Sequence, residues 1–195
     1  MYLYNQALSK HWGKLEPREI VRQLYIAFPT FAFQTDRELE FKILNEISKF
    51  FGIPYHAIHV VGSAKTGKSY YKGTDFKKGE SDLDIAIISP DLYLKYMEIV
   101  FVNTNGYKDL KGFYNKLGRS NKEQLNTFKN NLSKGVFRPD LMPDCEEKTE
   151  WWEFFNELSN EYFRYFKNIN AGIYISQSFF EFKQIEGLEK YMSKV

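Results

Sequence analysis

The stretch VVGSAKTGKSYYKGTDFKKGESDLDIAIIS, residues 60–89, decides the fold of this 195-residue chain. At its near end AIHVV (57–61) is short, β-rich and followed at once by Gly62, which reads as a buried strand. At its far end Leu83, Ile85, Ala86, Ile87 and Ile88 run almost continuously apolar, as a central strand covered on both faces requires. The glycine- and lysine-rich residues between them keep no period, so they predict a loop or ragged hairpin.

Helical spacing surrounds this pair of strands. Ile20, Val21, Leu24 and Phe28 predict a helix opened by Pro17. Leu39, Ile43, Leu44, Ile47, Phe50 and Phe51 form a stripe over 36–51, with Thr35 and Glu38 as the expected capping box and Gly52 and Pro54 as the stop. Ser89-Pro90-Asp91 supplies an N-cap, an N1 proline and an acidic first turn for a helix to about residue 102. Residues 103–147 read as an irregular insert with a short helix over 124–132. A helix over 147–166 places Trp151, Phe155, Leu158 and Tyr162 on one face, and Trp152, Phe154 and Phe163 are expected to widen that face into a buried one. Ala171–Ser176 reads as a third strand, and Ser178 and Glu181 as caps of a last helix carrying Phe179, Phe182, Ile185, Leu188 and Met192. The order predicts one α/β (α+β) domain over 1–195, a small mixed sheet flanked by helices, with its core motifs in 36–103 and a helix-strand-helix unit in 148–195.

Composition bounds the function. With 43% hydrophobic and 27% charged residues the chain is an ordinary globular one, and no apolar run reaches the ~18–20 residues of a membrane helix. The start MYLYNQALSKHWGK lacks a basic segment followed by an apolar core, and the single Cys145 suits a reducing compartment, so the expected location is the cytoplasm. A net charge of +2 is too small to announce a nucleic-acid surface. The 18% aromatic content reads first as core packing, although Tyr70, Tyr71 and Phe76 interleave with Lys72, Lys77 and Lys78 in the long loop.

Gly62-Ser63-Ala64-Lys65-Thr66-Gly67-Lys68-Ser69 matches the P-loop pattern G-x-x-x-x-G-K-[ST] letter for letter. A P-loop needs a crossover helix after it, however, and the residues between Ser69 and Ser81 offer no apolar stripe to build one. A second reading uses fewer letters. Glycine removes the Cβ that would block phosphates, so Gly62 and the Ser63 hydroxyl can approach a triphosphate, with Lys65 and Lys68 adding positive charge. Strand alternation sends Asp82 and Asp84 to one face about 7 Å apart. Paired carboxylates there repel unless a cation joins them, and few protein oxygens plus phosphates and water suit magnesium, or manganese in its place. Taken alone, Asp-x-Asp is usually a solvated turn; beside a strand ending in Gly-Ser it reads as a site.

These residues resemble the nucleotidyltransferase superfamily that includes DNA polymerase beta, in VVGS (60–63) and SDLDIAII (81–88). The resemblance covers chiefly residues 36–103. It implies a mixed sheet of the nucleotidyltransferase type and transfer of a nucleoside monophosphate from an NTP to an acceptor hydroxyl, with pyrophosphate leaving. It also implies two metal ions held by Asp82 and Asp84 together with a third carboxylate on a later strand. AGIYIS (171–176) carries no acid, which leaves Asp140 and Glu181 as substitutes, with Arg138 a further candidate charge. Catalytically degenerate nucleotide or RNA sensing is the alternative, and the P-loop NTPase the second alternative. The acceptor (RNA, protein or small molecule) and the oligomeric state are not legible.

Overall fold

The computed structural model describes residues 2–113 and 121–194; part of the irregular insert expected over 103–147 lies outside them. Helix α1 (Tyr2–His11) is followed by α2 (Pro17–Val21), which runs on as a π-helical segment over Arg22–Ala27, and then by α3 (Arg37–Phe51). Strand β1 (Ile58–Val61) leads into the five-residue α4 (Gly62–Thr66), and β2 (Leu83–Ile88) into α5 (Pro90–Asn103). Beyond α6 (Asn121–Leu132) come the two-residue β3 (Val136–Phe137), α7 (Glu146–Glu161), β4 (Ile169–Tyr174) and α8 (Gln177–Met192).

The strands form one mixed sheet in the order β1-β2-β4-β3. β2 is central: β1 pairs with it antiparallel, with Val61 opposite Asp84, and β4 pairs with it parallel, with Asn170 opposite Asp84. β3 closes the far edge antiparallel to β4. Alternation divides the side chains between two cores. Leu83, Ile85 and Ile87 join Ile58, Val60, Ile173 and Phe137 against α3, α5 and α7, while Ala86, Val136 and Tyr174 face α1, α2 and α8. The nearly continuous apolar run of β2 therefore has its cause in two covered faces. Leu83, Ile85 and Ile87 are each at most 3% exposed, worth ~1.5–3 kcal/mol apiece.

Several expectations are corrected. The N-cap of α3 is Asp36, whose Oδ1 accepts from the Leu39 amide at 3.0 Å, and not Thr35. The cap of α5 is Ser89 as expected, its Oγ accepting from the Leu92 amide. α7 ends at Glu161, and Trp152 and Phe163 are exposed, because only the Trp151-Phe155-Leu158 face meets the sheet. Phe50 is likewise exposed and stacks on Phe154 with ring centroids 3.9 Å apart. On α8 the buried residues are Phe180, Glu181 and Leu188, while Phe179 and Phe182 face outward; the helix starts behind Ser176 without a side-chain cap. β3 interrupts a segment expected to be irregular, and β4 begins at Ile169, two residues before the expected start. Among the described residues no helix is long and apolar enough to cross a membrane.

The capping correction is measurable. Asp36→Ala is expected to cost about 1 kcal/mol in urea unfolding, whereas Thr35→Ala should stay within about 0.5 kcal/mol of the native chain. Equal losses from the two substitutions would restore Thr35 as the cap.

Candidate functional site

At the end of β1 the backbone turns sharply. Gly62 has φ +65°, and a Cβ placed there would lie 2.8 Å from Asp84 Oδ2. Only glycine combines that left-handed conformation with such a close approach. The chain then makes the short turn of α4 and stops at Gly67, also left-handed at φ 79°, whose amide donates to the Ser63 carbonyl at 2.8 Å.

Gly62, Ser63, Asp82 and Asp84 line one cleft of about 960 Å³. The helices over Ala86 and Tyr174 leave Asp84 open to solvent on one side. Protein surrounds it on the others, and this desolvation lifts its carboxyl above the usual carboxylate range, with the negative charge of Asp82 adding to the effect. The cations Lys72 and Arg138 oppose the shift. Asp82 sits just ahead of β2 and accepts from Asn168 Nδ2 at 3.0 Å. A carboxyl whose proton affinity is raised by a second carboxylate beside it is one whose ionised form a cation would relieve. Among the described residues no group of three or more His, Cys, Asp or Glu side chains is arranged to hold a metal. An ion at Asp82 and Asp84 would therefore take its other ligands from phosphate oxygens and water, the arrangement magnesium favours.

The two lysines read from the sequence lie elsewhere. Lys65 is 5% exposed, and its ammonium donates to the Phe28 carbonyl at 2.7 Å, tying α4 to the end of the π-helical segment. Burial lowers its pKa to about 8. Lys68 pairs with Asp75 at 2.9 Å and donates to the Gly73 carbonyl. Neither belongs to the cleft wall, which takes its positive charge from Lys72, Arg138, Lys167, Lys183 and Lys190. The P-loop geometry is also missing: residues 68–75 form a ragged hairpin closed by a Lys68–Asp75 bridge, and β1 and β2 are antiparallel neighbours.

The substitutes for a third acid separate clearly. Glu181 is buried, held by Arg22 Nε at 2.6 Å and by Gln177 Nε2 at 2.7 Å, and lies outside the cleft. Asp140 lines the cleft but is gripped by Arg138 through two hydrogen bonds, Nε to Oδ1 at 2.7 Å and Nη2 to Oδ2 at 2.6 Å. The residue beside Asp84 on β4 is Asn170, which the sequence reading missed by starting the strand at Ala171. Its signal was present: Ile169, Ala171 and Ile173 alternate, and counting Ile169 places Asn170 on the Asp84 face.

Comparison of the chain with protein-family models, with curated proteins and with solved structures finds no match.

The buried lysine gives a pH test. Its folded-state pKa of about 8 lies below the ~10.4 of an unfolded lysine, so between these values the unfolded chain binds more protons and stability rises with pH. Lys65→Met removes this titration. The native chain is expected to gain stability relative to Lys65→Met as pH is raised from about 7.5 to about 10, followed by urea unfolding. A difference that stays constant over that range would place the ammonium in solvent.

Proposed function

We propose that the cleft binds a magnesium-NTP complex and transfers its nucleoside monophosphate to an acceptor hydroxyl. The observation that carries this reading is the contact between the Gly62 backbone and the Asp84 carboxylate, because it sets the glycine-serine bend against one acid of the Asp82-Asp84 pair within a single cleft. A mixed sheet with a glycine-serine bend beside an Asp-x-Asp strand is also what the nucleotidyltransferase resemblance implies. Asp82 and Asp84 would hold the ion, which when bound supplies charge neutralisation at the triphosphate. Ser63 and the Gly62 amide orient the phosphates, and the cleft holds the acceptor in line with the α-phosphorus. The acceptor oxygen bonds to that phosphorus as the bond to the bridging oxygen breaks; pyrophosphate leaves and the hydroxyl proton passes to solvent. Such transfer depends mainly on positioning and electrostatics, which a few fixed groups supply. A cytoplasmic setting, rich in NTP, suits the reading.

A second reading, nucleotide sensing without transfer, is favoured by one observation: the neutral Asn170 stands where an acid would assist the attacking hydroxyl. The P-loop alternative has no crossover helix to support it.

The experiment is incubation with α-labelled NTPs and Mg²⁺ or Mn²⁺, alone and with RNA, protein or small-molecule acceptors, following label transfer and pyrophosphate release. Transfer is expected, with Asp84→Asn lowering it by ~10²-fold or more and Lys68→Ala leaving it unchanged. Bound NTP without transfer would establish the sensor, and hydrolysis to NDP abolished by Lys68→Ala would establish the P-loop.

A further inference from the structure

Arg138 leaves the end of β3 in extended conformation, at φ −111° and ψ 99°. The β3/β4 register, Val136 with Tyr174 and Phe137 with Ile173, continues to bring Arg138 opposite Gly172. Its stem lies across that glycine: a Cβ on Gly172 would touch Arg138 Cδ at 3.8 Å. Gly172 pairs with Ala86 as Asn170 pairs with Asp84, so the arginine crosses β4 one step from the acid pair and on the same face. Its charge acts on Asp84. Asp140 engages Nε and Nη2, which uses two of the five N–H donors of a guanidinium and leaves three.

We propose that this is a one-metal site, in which the Arg138 guanidinium, held in place by Asp140, occupies the position of a second cation and binds the triphosphate directly. The inference rests on the nucleotide-binding reading above. Three features of this chain support it together. Asn170 offers an uncharged amide in place of a carboxylate beside Asp84. Both oxygens of Asp140, which lines the same cleft, are taken up by Arg138. A fixed guanidinium next to Asp84 repels a second divalent ion while offering phosphate oxygens planar paired donors, which a lysine cannot do. Asp140 acts here as a positioning residue, holding the arginine rather than a metal.

The test counts ions. The full chain is titrated with Mn²⁺ at saturating non-hydrolysable NTP, and bound ions are measured by electron paramagnetic resonance. One Mn²⁺ per chain is expected. Two per chain would overturn this inference and leave the nucleotide-binding reading intact, whereas no protein-bound Mn²⁺-nucleotide would remove both. In parallel, affinities for the non-hydrolysable triphosphate and for the nucleoside monophosphate are measured on folded Arg138→Ala and Arg138→Lys chains. Both variants are expected to lose about tenfold or more in triphosphate affinity with little change for the monophosphate. Unchanged triphosphate affinity, or recovery in Arg138→Lys, would overturn the direct contact. Asp140→Asn, which keeps a hydrogen-bonding side chain of the same size, is expected to weaken the triphosphate selectively, and equal loss for both ligands would mark Asp140 as structural.

Discussion

A left-handed bend at Gly62 presses the backbone against the Asp84 carboxylate, and the rest of the site depends on that contact. It exists because β1 and β2 are antiparallel neighbours in a register that sets Val61 opposite Asp84. The register is secured further along the strands, where Ile58 faces Ile87 and Val60 faces Ile85 inside the core. A slip of one residue in either strand would move that strand's two aliphatic side chains to the opposite face of the sheet, and in β2 it would carry Asp84 into the core on the α3, α5 and α7 side, so the packing that stabilises the sheet also fixes the distance between bend and acid.

The sheet solves a second problem, that of keeping two carboxylates close together in a fold with helices on both faces. Ala86 and Tyr174 are covered, and the acids stand where that cover ends. Desolvation and Asp82 together strain the ionised form of Asp84, while Lys72 and Arg138 relieve part of the strain. The fold thus tolerates the pair at a cost that any bound cation would recover, which couples stability to ligand binding.

What could be read from the sequence was whatever repeats. The apolar run 83–88, the stripe of α3 and the Ser89-Pro90 start all follow from local periodicity and capping, and the structure has them. β3 could not be read this way, since two residues carry no period; it exists because Phe137 packs among Tyr93, Tyr96 and Phe128. Exposed aromatics such as Trp152 and Phe163 were misjudged because spacing identifies a helix but not how wide a face its neighbours cover. In the site, the glycine-serine bend and the acids came together as their spacing suggested. Lys65 and Lys68 did not join them, for a physical reason: α4 is only five residues long and ends at Gly67, so side-chain direction there follows tertiary partners, the Phe28 carbonyl and Asp75.

These lysines still serve the site from outside it. Lys65 fastens α4 to the carbonyl that ends the π-helical segment, while the long loop is held by its own hairpin hydrogen bonds and by Phe76 against Phe31 and Phe166. The bend is therefore braced from behind by a buried ammonium and from the side by the aromatic core, leaving its cleft-facing groups free of structural duty. A long, lysine-rich connection between two strands is usually a source of mobility. Here its cations are largely committed to holding its shape, Lys68 to Asp75, Lys77 to Glu80 and Lys78 to the Tyr165 ring. Lys72 is the loop cation that lines the cleft, and further charge comes from elements that reach it across the sheet, where Arg138, lying over a glycine, is placed to supply it.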